Sequence, residues 1–176
     1  MKLIQLLVLV LLISACKRYE DPSPFTDSRI SKPYCNDPSA INYNWDFPGI
    51  PDNSTCIYPA QIFAGDYLFK DSLIDSTGNV IAIDSFPLNV QMVDSSHLQI
   101  TGFCGTLIHT AKANRFYSFT LDSLVGNGQT FCTGSQDTIS GKASKTGIFD
   151  STQFTMQYLL QTSTGSSNHH GTAIKQ

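Results

Sequence analysis

Leu88-Asn89-Val90-Gln91-Met92-Val93-Asp94-Ser95-Ser96-His97-Leu98-Gln99-Ile100-Thr101 is the stretch from which the fold is read. Leu88, Val90 and Met92 alternate with Asn89, Gln91 and Val93, the polar run Asp94-Ser95-Ser96 interrupts, and the alternation resumes with Leu98 and Ile100. Successive strand side chains point to opposite faces, so this pattern predicts two strands joined as a hairpin with one apolar face.

The same period recurs outward from the hairpin. Tyr117, Phe119 and Leu121 alternate with Ser118 and Thr120, and Phe154, Met156, Tyr158 and Leu160 alternate with Thr155, Gln157 and Leu159. Weaker strand signals cover Tyr67–Asp71, Val80–Asp84, Thr106–Ala111, Asp137–Ala143 and Thr172–Lys175. Turn-forming residues separate them: Ser76-Thr77-Gly78-Asn79, Gly126-Asn127-Gly128 and Gly165-Ser166-Ser167-Asn168. No segment sustains a 3.6-residue period. The expectation over residues 60–176 is an all-β domain, an antiparallel meander of about eight strands closing into a barrel or a sandwich. Leu88, Val90, Met92, Leu98, Ile100, Tyr117, Phe119, Phe154, Met156 and Tyr158 are predicted to share its interior.

The chain of 176 residues suits one such domain with short appendages, and its low charged fraction of 14% fits strands with polar outer faces. The formal charge of −3 offers nothing to neutralise a phosphate backbone, so nucleic acid is not an expected partner. Residues 1–15 are different in kind. Lys2 precedes a run from Leu3 to Ile13 that is apolar except for Gln5. As a helix this run rises about 16 Å, too short for a hydrocarbon core of about 30 Å, and it reads as a signal peptide. Ile13-Ser14-Ala15-Cys16 resembles the lipobox of bacterial lipoproteins. The resemblance implies cleavage before Cys16 and acyl chains on that cysteine. Lys17, standing where an aspartate would imply inner-membrane retention by analogy with Gram-negative lipoproteins, points to the outer membrane, on its periplasmic or surface leaflet. Residues 16–34, with Pro22, Pro24 and Pro33, read as the lipidated cysteine followed by a flexible tether. Glu20-Asp21 is similar to the acidic export signal of Bacteroidetes surface lipoproteins; an ordinary solvated stalk is the competing reading.

Residues 35–59 hold Pro38, Pro48, Pro51 and Pro59 and are too short to bury a core alone. Cys35, Asp37, Ala40, Asn42, Tyr43, Asp52, Cys56 and Tyr58 resemble a short cysteine-bounded module of exported Bacteroidetes proteins; Ser54 and Thr55 stand where that pattern has glycine and serine. Phe63-Ala64-Gly65-Asp66-Tyr67 and the closing Gly171–Gln176 resemble the first and last strands of lipocalin-like domains in Bacteroidetes lipoproteins. Setting Cys16 aside, four cysteines allow three pairings. Cys35 with Cys56 and Cys104 with Cys132 keeps one bridge in the module and one in the barrel; free thiols in the barrel are the competing reading.

Asp37, Asp46 and Asp52 lie in an Asx-rich loop with Asn42, Asn44 and Asn53 and are candidate Ca²⁺ ligands. The loop lacks an alternating D-x-D-x-D-G run, and Asx side chains also serve as caps of ordinary turns. His169-His170 would point to opposite faces on a strand, which spoils shared metal coordination, and a solvated loop is the simpler reading. No Gly-x-Ser-x-Gly elbow, His-Glu-x-x-His or Gly-rich phosphate loop is present, so no catalytic residue and no other cofactor is expected. The expected role is a lipid-anchored, non-catalytic binding module for a small apolar molecule, a glycan or a protein. The alternatives are a structural accessory of the outer membrane and an unrecognised hydrolase. A hollow barrel would favour small-molecule binding, a filled one with an exposed apolar patch the accessory role, and a Ser/His pair in a cleft the hydrolase.

Overall fold

The computed structural model describes residues 27–121, 128–147 and 152–176. Its elements are β1 (Pro33–Tyr34), β2 (Ile50–Pro51), a 3-10 turn (Asn53–Thr55), β3 (Gly65–Ile74), β4 (Val80–Met92), β5 (His97–Gly102), β6 (Gly105–Asn114), β7 (Ser118–Leu121), β8 (Gln129–Thr130), β9 (Thr138–Ser144), β10 (Gln153–Thr162) and β11 (Gly165–Lys175). β3 to β7, then β9, β10 and β11, form a closed antiparallel barrel of eight strands, with β11 returning to pair with β3. Closing the sheet leaves no strand unpaired along its whole length, and neighbouring strands reached by short turns build it most directly. β7 and β8 pair successive stretches of β9 and together occupy one position in the wall. Where β7 ends, the Gln129 amide takes over: its oxygen accepts from the Thr110 N–H at 2.8 Å and its NH₂ donates to the Thr110 carbonyl. A side chain thus continues the ladder of β6.

The interior is occupied by side chains. Tyr67, Phe69, Leu88, Val90, Leu98, Ile100, Phe119, Ile139, Phe154 and Met156 are all at most 1% exposed. Packing is tight enough that a Cβ on Gly171 would run into the Phe69 ring from the neighbouring strand. Of the ten positions predicted to face inward, Leu88, Val90, Leu98, Ile100, Phe119, Phe154, Met156 and Tyr158 are buried. Met92 and Tyr117 are not. Met92 pairs with Leu98 but is 50% exposed, because it extends past Val90 to the rim. Tyr117 stands before β7 in the turn at φ 57, where a turn conformation replaces the alternation. Two further boundaries differ. Val80–Asp84 and Leu88–Met92 are one 13-residue strand, continuous through Pro87. β11 begins at Gly165, not Thr172.

The two ends of the barrel are built differently. The entry end is where β4, β6 and β9 end, and Phe63 corks it. Its ring meets Phe119 and Phe154 edge-on at 4.9 and 5.8 Å, and its carbonyl accepts from the Tyr67 hydroxyl at 2.9 Å. The module docks at this end through Ala60 N–H to the Ser95 carbonyl and the Arg115 guanidinium to the Pro38 carbonyl. The module forms the Cys35–Cys56 bridge. It also reaches further back than the cysteine: β1 pairs parallel with β2, and Lys32 and Tyr34 carbonyls accept from Ile50 and Asp52 N–H groups. Residues 27–34, read from the sequence as tether, therefore belong to the folded module. The signal peptide, Cys16 and residues 17–26 lie outside the described residues.

Candidate functional site

At the opposite end the wall is uneven. β4 pairs with β5 only over Asn89–Met92, whereas β3 follows β4 down to Val80. Beyond Leu88, β4, β3, β11 and β10 therefore overhang the β5–β6 turn. Phe103 in that turn fills the mouth, with its ring 5.5 Å from both Tyr158 and His109 and 5.9 Å from Phe86. A Cys104–Cys132 disulfide ties the turn to the loop between β8 and β9.

Toward the overhang the inward faces change from apolar to polar. On β3 the series Tyr67, Phe69 continues to Asp71; on β11 Ala173, Gly171 continues to His169 and Ser167; on β4 Leu88, Phe86 continues to Asp84. Period two carries all of these to one side. The result is a hydrogen-bonded line. Asp71, 6% exposed, accepts at Oδ2 from His169 Nδ1 at 2.7 Å and from the Tyr158 hydroxyl at 2.9 Å. His169 Nε2 lies 3.0 Å from Ser167 Oγ, and the Tyr158 and His169 rings stack with centroids 4.6 Å apart. Burial raises the Tyr158 phenol far above its usual range, and the Asp71 carboxylate it bonds raises it further. Tyr158 is thus a fixed donor. Asp71 Oδ1 is buried with no hydrogen-bond partner among the described residues.

The arrangement orients the imidazole and favours one of its tautomers. With Asp71 holding the Nδ1 proton, Nε2 is left to accept from the Ser167 hydroxyl, which is the order nucleophile, base, orienting carboxylate. Leu160 and Leu73, the cross-strand partners of Ser167 and His169, supply half-buried apolar surface beside it.

His169 and His170 are on β11 rather than in a solvated loop, and only His169 faces inward. His109 is buried between Phe103 and Phe131. Burial lowers its pKa, outweighing main-chain groups of Phe131, Thr130 and Ile100 that favour the charged form. Asp37 accepts from Ser39 N–H and hydroxyl and from the Tyr58 hydroxyl, and Asp52 caps the 3-10 turn by accepting from Ser54 N–H. Both carboxyls are lowered by these bonds. Asp46 joins no common site with them: among the described residues no three His, Cys, Asp or Glu side chains are gathered as metal ligands. The Ca²⁺ candidates are thus not brought together, and two of the three serve turns.

Sequence reading missed the Asp71, His169 and Ser167 line. The available signal was the period-two series Ser167, His169, Gly171, Ala173, which carries no apolar contrast. On the outer wall, a groove of about 650 Å³ runs across Ile74, Lys142, Gln157, Leu159, Asn168 and His170. Comparison with protein-family models, with curated proteins and with solved structures finds no match.

Proposed function

We propose that this chain is an outer-membrane lipoprotein whose barrel is a binding module for a protein partner, engaged at the overhang. The observation that carries this reading is the free edge of β4. Over Val80–Phe86 the strand pairs with β3 on one side and with no strand on the other among the described residues, and Val80, Ile81 and Ile83 are 53, 60 and 73% exposed. An unpaired strand edge with apolar side chains fits an extended peptide segment, which gains main-chain hydrogen bonds and pockets for alternate side chains. The barrel interior is occupied by buried side chains, which favours a partner at the rim over a small apolar ligand inside. The lipobox and the placement of the module at the far end support an orientation in which the overhang points away from the bilayer. The test is photocrosslinking in the native envelope from positions 81 and 83, with position 155 on the outer wall as control. Adducts of one discrete mass from the edge alone are expected. Equal adducts from position 155, or none from the edge, overturn the reading.

A second reading rests on the Ser167–His169–Asp71 line, which matches the parts of an acyl-transfer site. In it Ser167 Oγ attacks the carbonyl carbon of an ester as His169 Nε2 takes its proton. Collapse of the tetrahedral adduct expels the alkoxide, which receives that proton, and water then releases the acyl group from Ser167 with the same base. Fluorophosphonate labelling mapped to Ser167, and lost in Ser167→Ala, is the expected result. An unlabelled folded protein rules this reading out.

A further inference from the structure

The module exposes apolar residues that its small core does not use. Ile30, Trp45, Phe47 and Ile50 are 54, 50, 57 and 56% exposed. Ile30 is distant from the other three in sequence, and main-chain hydrogen bonds bring its turn against theirs. The turn Asp46–Gly49 packs on residues 29–32 so closely that a Cβ on Gly49 would strike the Lys32 carbonyl, and Ile50 pairs with Pro33. Phe47 stands edge-on to the buried Tyr34 at 5.9 Å and keeps more than half of its surface exposed. Soluble surfaces seldom gather several large apolar residues without a partner.

The chain itself argues for which partner. Only residues 17–26 separate Cys16 from Asp27, a reach of at most about 40 Å when fully extended. If Cys16 carries lipid, the module is the first folded part of the protein above the bilayer and cannot leave its vicinity. We propose that this face of the module seats in the bilayer interface, with Trp45, Phe47, Ile50 and Ile30 reaching to the boundary of headgroups and acyl chains. This inference rests on the lipoprotein reading above and adds to it a second, non-covalent membrane contact.

The chemistry suits a zwitterionic surface. Trp and Phe have their preferred depth at that boundary, where an aromatic ring is buried and an indole N–H stays near polar headgroups. Electrostatics contributes little, because the Arg29 guanidinium is already paired with Asp27 at 2.7 Å and the chain is acidic as a whole. Insertion is therefore expected to depend on apolar contact and to be insensitive to salt. The seat would also orient the barrel, holding the entry end down and the overhang up.

Trp45 is the only tryptophan in the chain, so its emission reports on this face alone. The lipidated full-length mature protein is reconstituted into phosphatidylcholine vesicles, with and without bromine on the acyl chains near the headgroup. Bromolipid should quench emission by at least about twofold, as expected for a ring about 5–10 Å into the interface. Phe47→Ser with Ile50→Ser should lose most of that quenching while the melting temperature is kept. Mass spectrometry of Cys16 separates the two layers of the argument. Acylated Cys16 with unquenched Trp45 refutes the seat and leaves the anchor standing; absence of acyl chains refutes both. Emission that shifts to the blue with protein concentration in vesicle-free detergent would overturn the seat by assigning the face to a second copy.

Discussion

The entry end and the overhang end of the barrel use the same closing device, a phenylalanine set into the mouth, and put different chemistry around it. Phe63 is fully buried among Phe119, Phe154 and Tyr67, and the Lys145 ammonium lies 5.8 Å from its ring centroid. Phe103 keeps 9% of its surface and lies under a buried carboxylate, a histidine with two unpartnered ring nitrogens among the described residues, and a free strand edge. The entry end buries one charged side chain, Lys145, against the Phe63 ring. The other combines polar burial with unpaired backbone, features that cost stability and are retained where a surface has work to do.

If that contrast is right, the largest loss of stability comes from the packed end. Phe154→Ala should cost about 3–5 kcal/mol in denaturant unfolding, with Gln157→Ala on the outer face nearly silent. Similar costs for the two would show that the interior is misassigned. Removing the bridges should come next, at about 3–4 kcal/mol each in the chain-entropy account. Here the ends should separate. Loss of Cys104–Cys132 should lower the melting point of the barrel, whereas loss of Cys35–Cys56 should expose the module to protease with little change in the barrel. Matching effects on both readouts would mean that module and barrel unfold as one.

His109 gives a pH-dependent version of the test. Its folded pKa is lowered, so below the unfolded value of about 6.5 the unfolded chain takes up a proton that the folded chain does not. Stability should therefore be complete above pH 6.5 and fall with acid by up to about 1.4 kcal/mol per pH unit. His109→Leu should remove that slope and leave stability at pH 8 unchanged or slightly higher. A slope that survives the substitution would place its origin elsewhere. The entry end has its own titration. Asp94 is lowered to about 2 by N–H groups of Ser96 and His97 and by the His97 ring. Its contribution is present above the unfolded value near 3.8 and lost as pH falls toward 2, so amide exchange at Ser96 and His97 should accelerate over that window. The smallest effect belongs to the free edge: Ile83→Ser should change stability by less than about 0.5 kcal/mol while abolishing partner crosslinks.

What was legible in the sequence was whatever a single strand encodes by itself. Leu88, Val90, Leu98, Ile100, Phe119, Phe154, Met156 and Tyr158 announce their face by contrast with polar neighbours, and a one-residue slip would turn each set into water. The all-β class, the hairpin and the interior followed from that contrast. Met92 and Tyr117 show its limit, since the pattern continues to the rim while burial stops at the end of the wall.

The tertiary structure alone decided the rest. Asp71, His169 and Ser167 are far apart in the chain or sit in a polar run, and nothing local distinguishes them from a solvated loop. They meet because β11 returns to β3 to close the barrel, a pairing between the two ends of the domain. The overhang likewise depends on where β5 turns back relative to β4, which is a matter of register between strands. Sequence period fixes which way a side chain points; closure and register fix what it meets there.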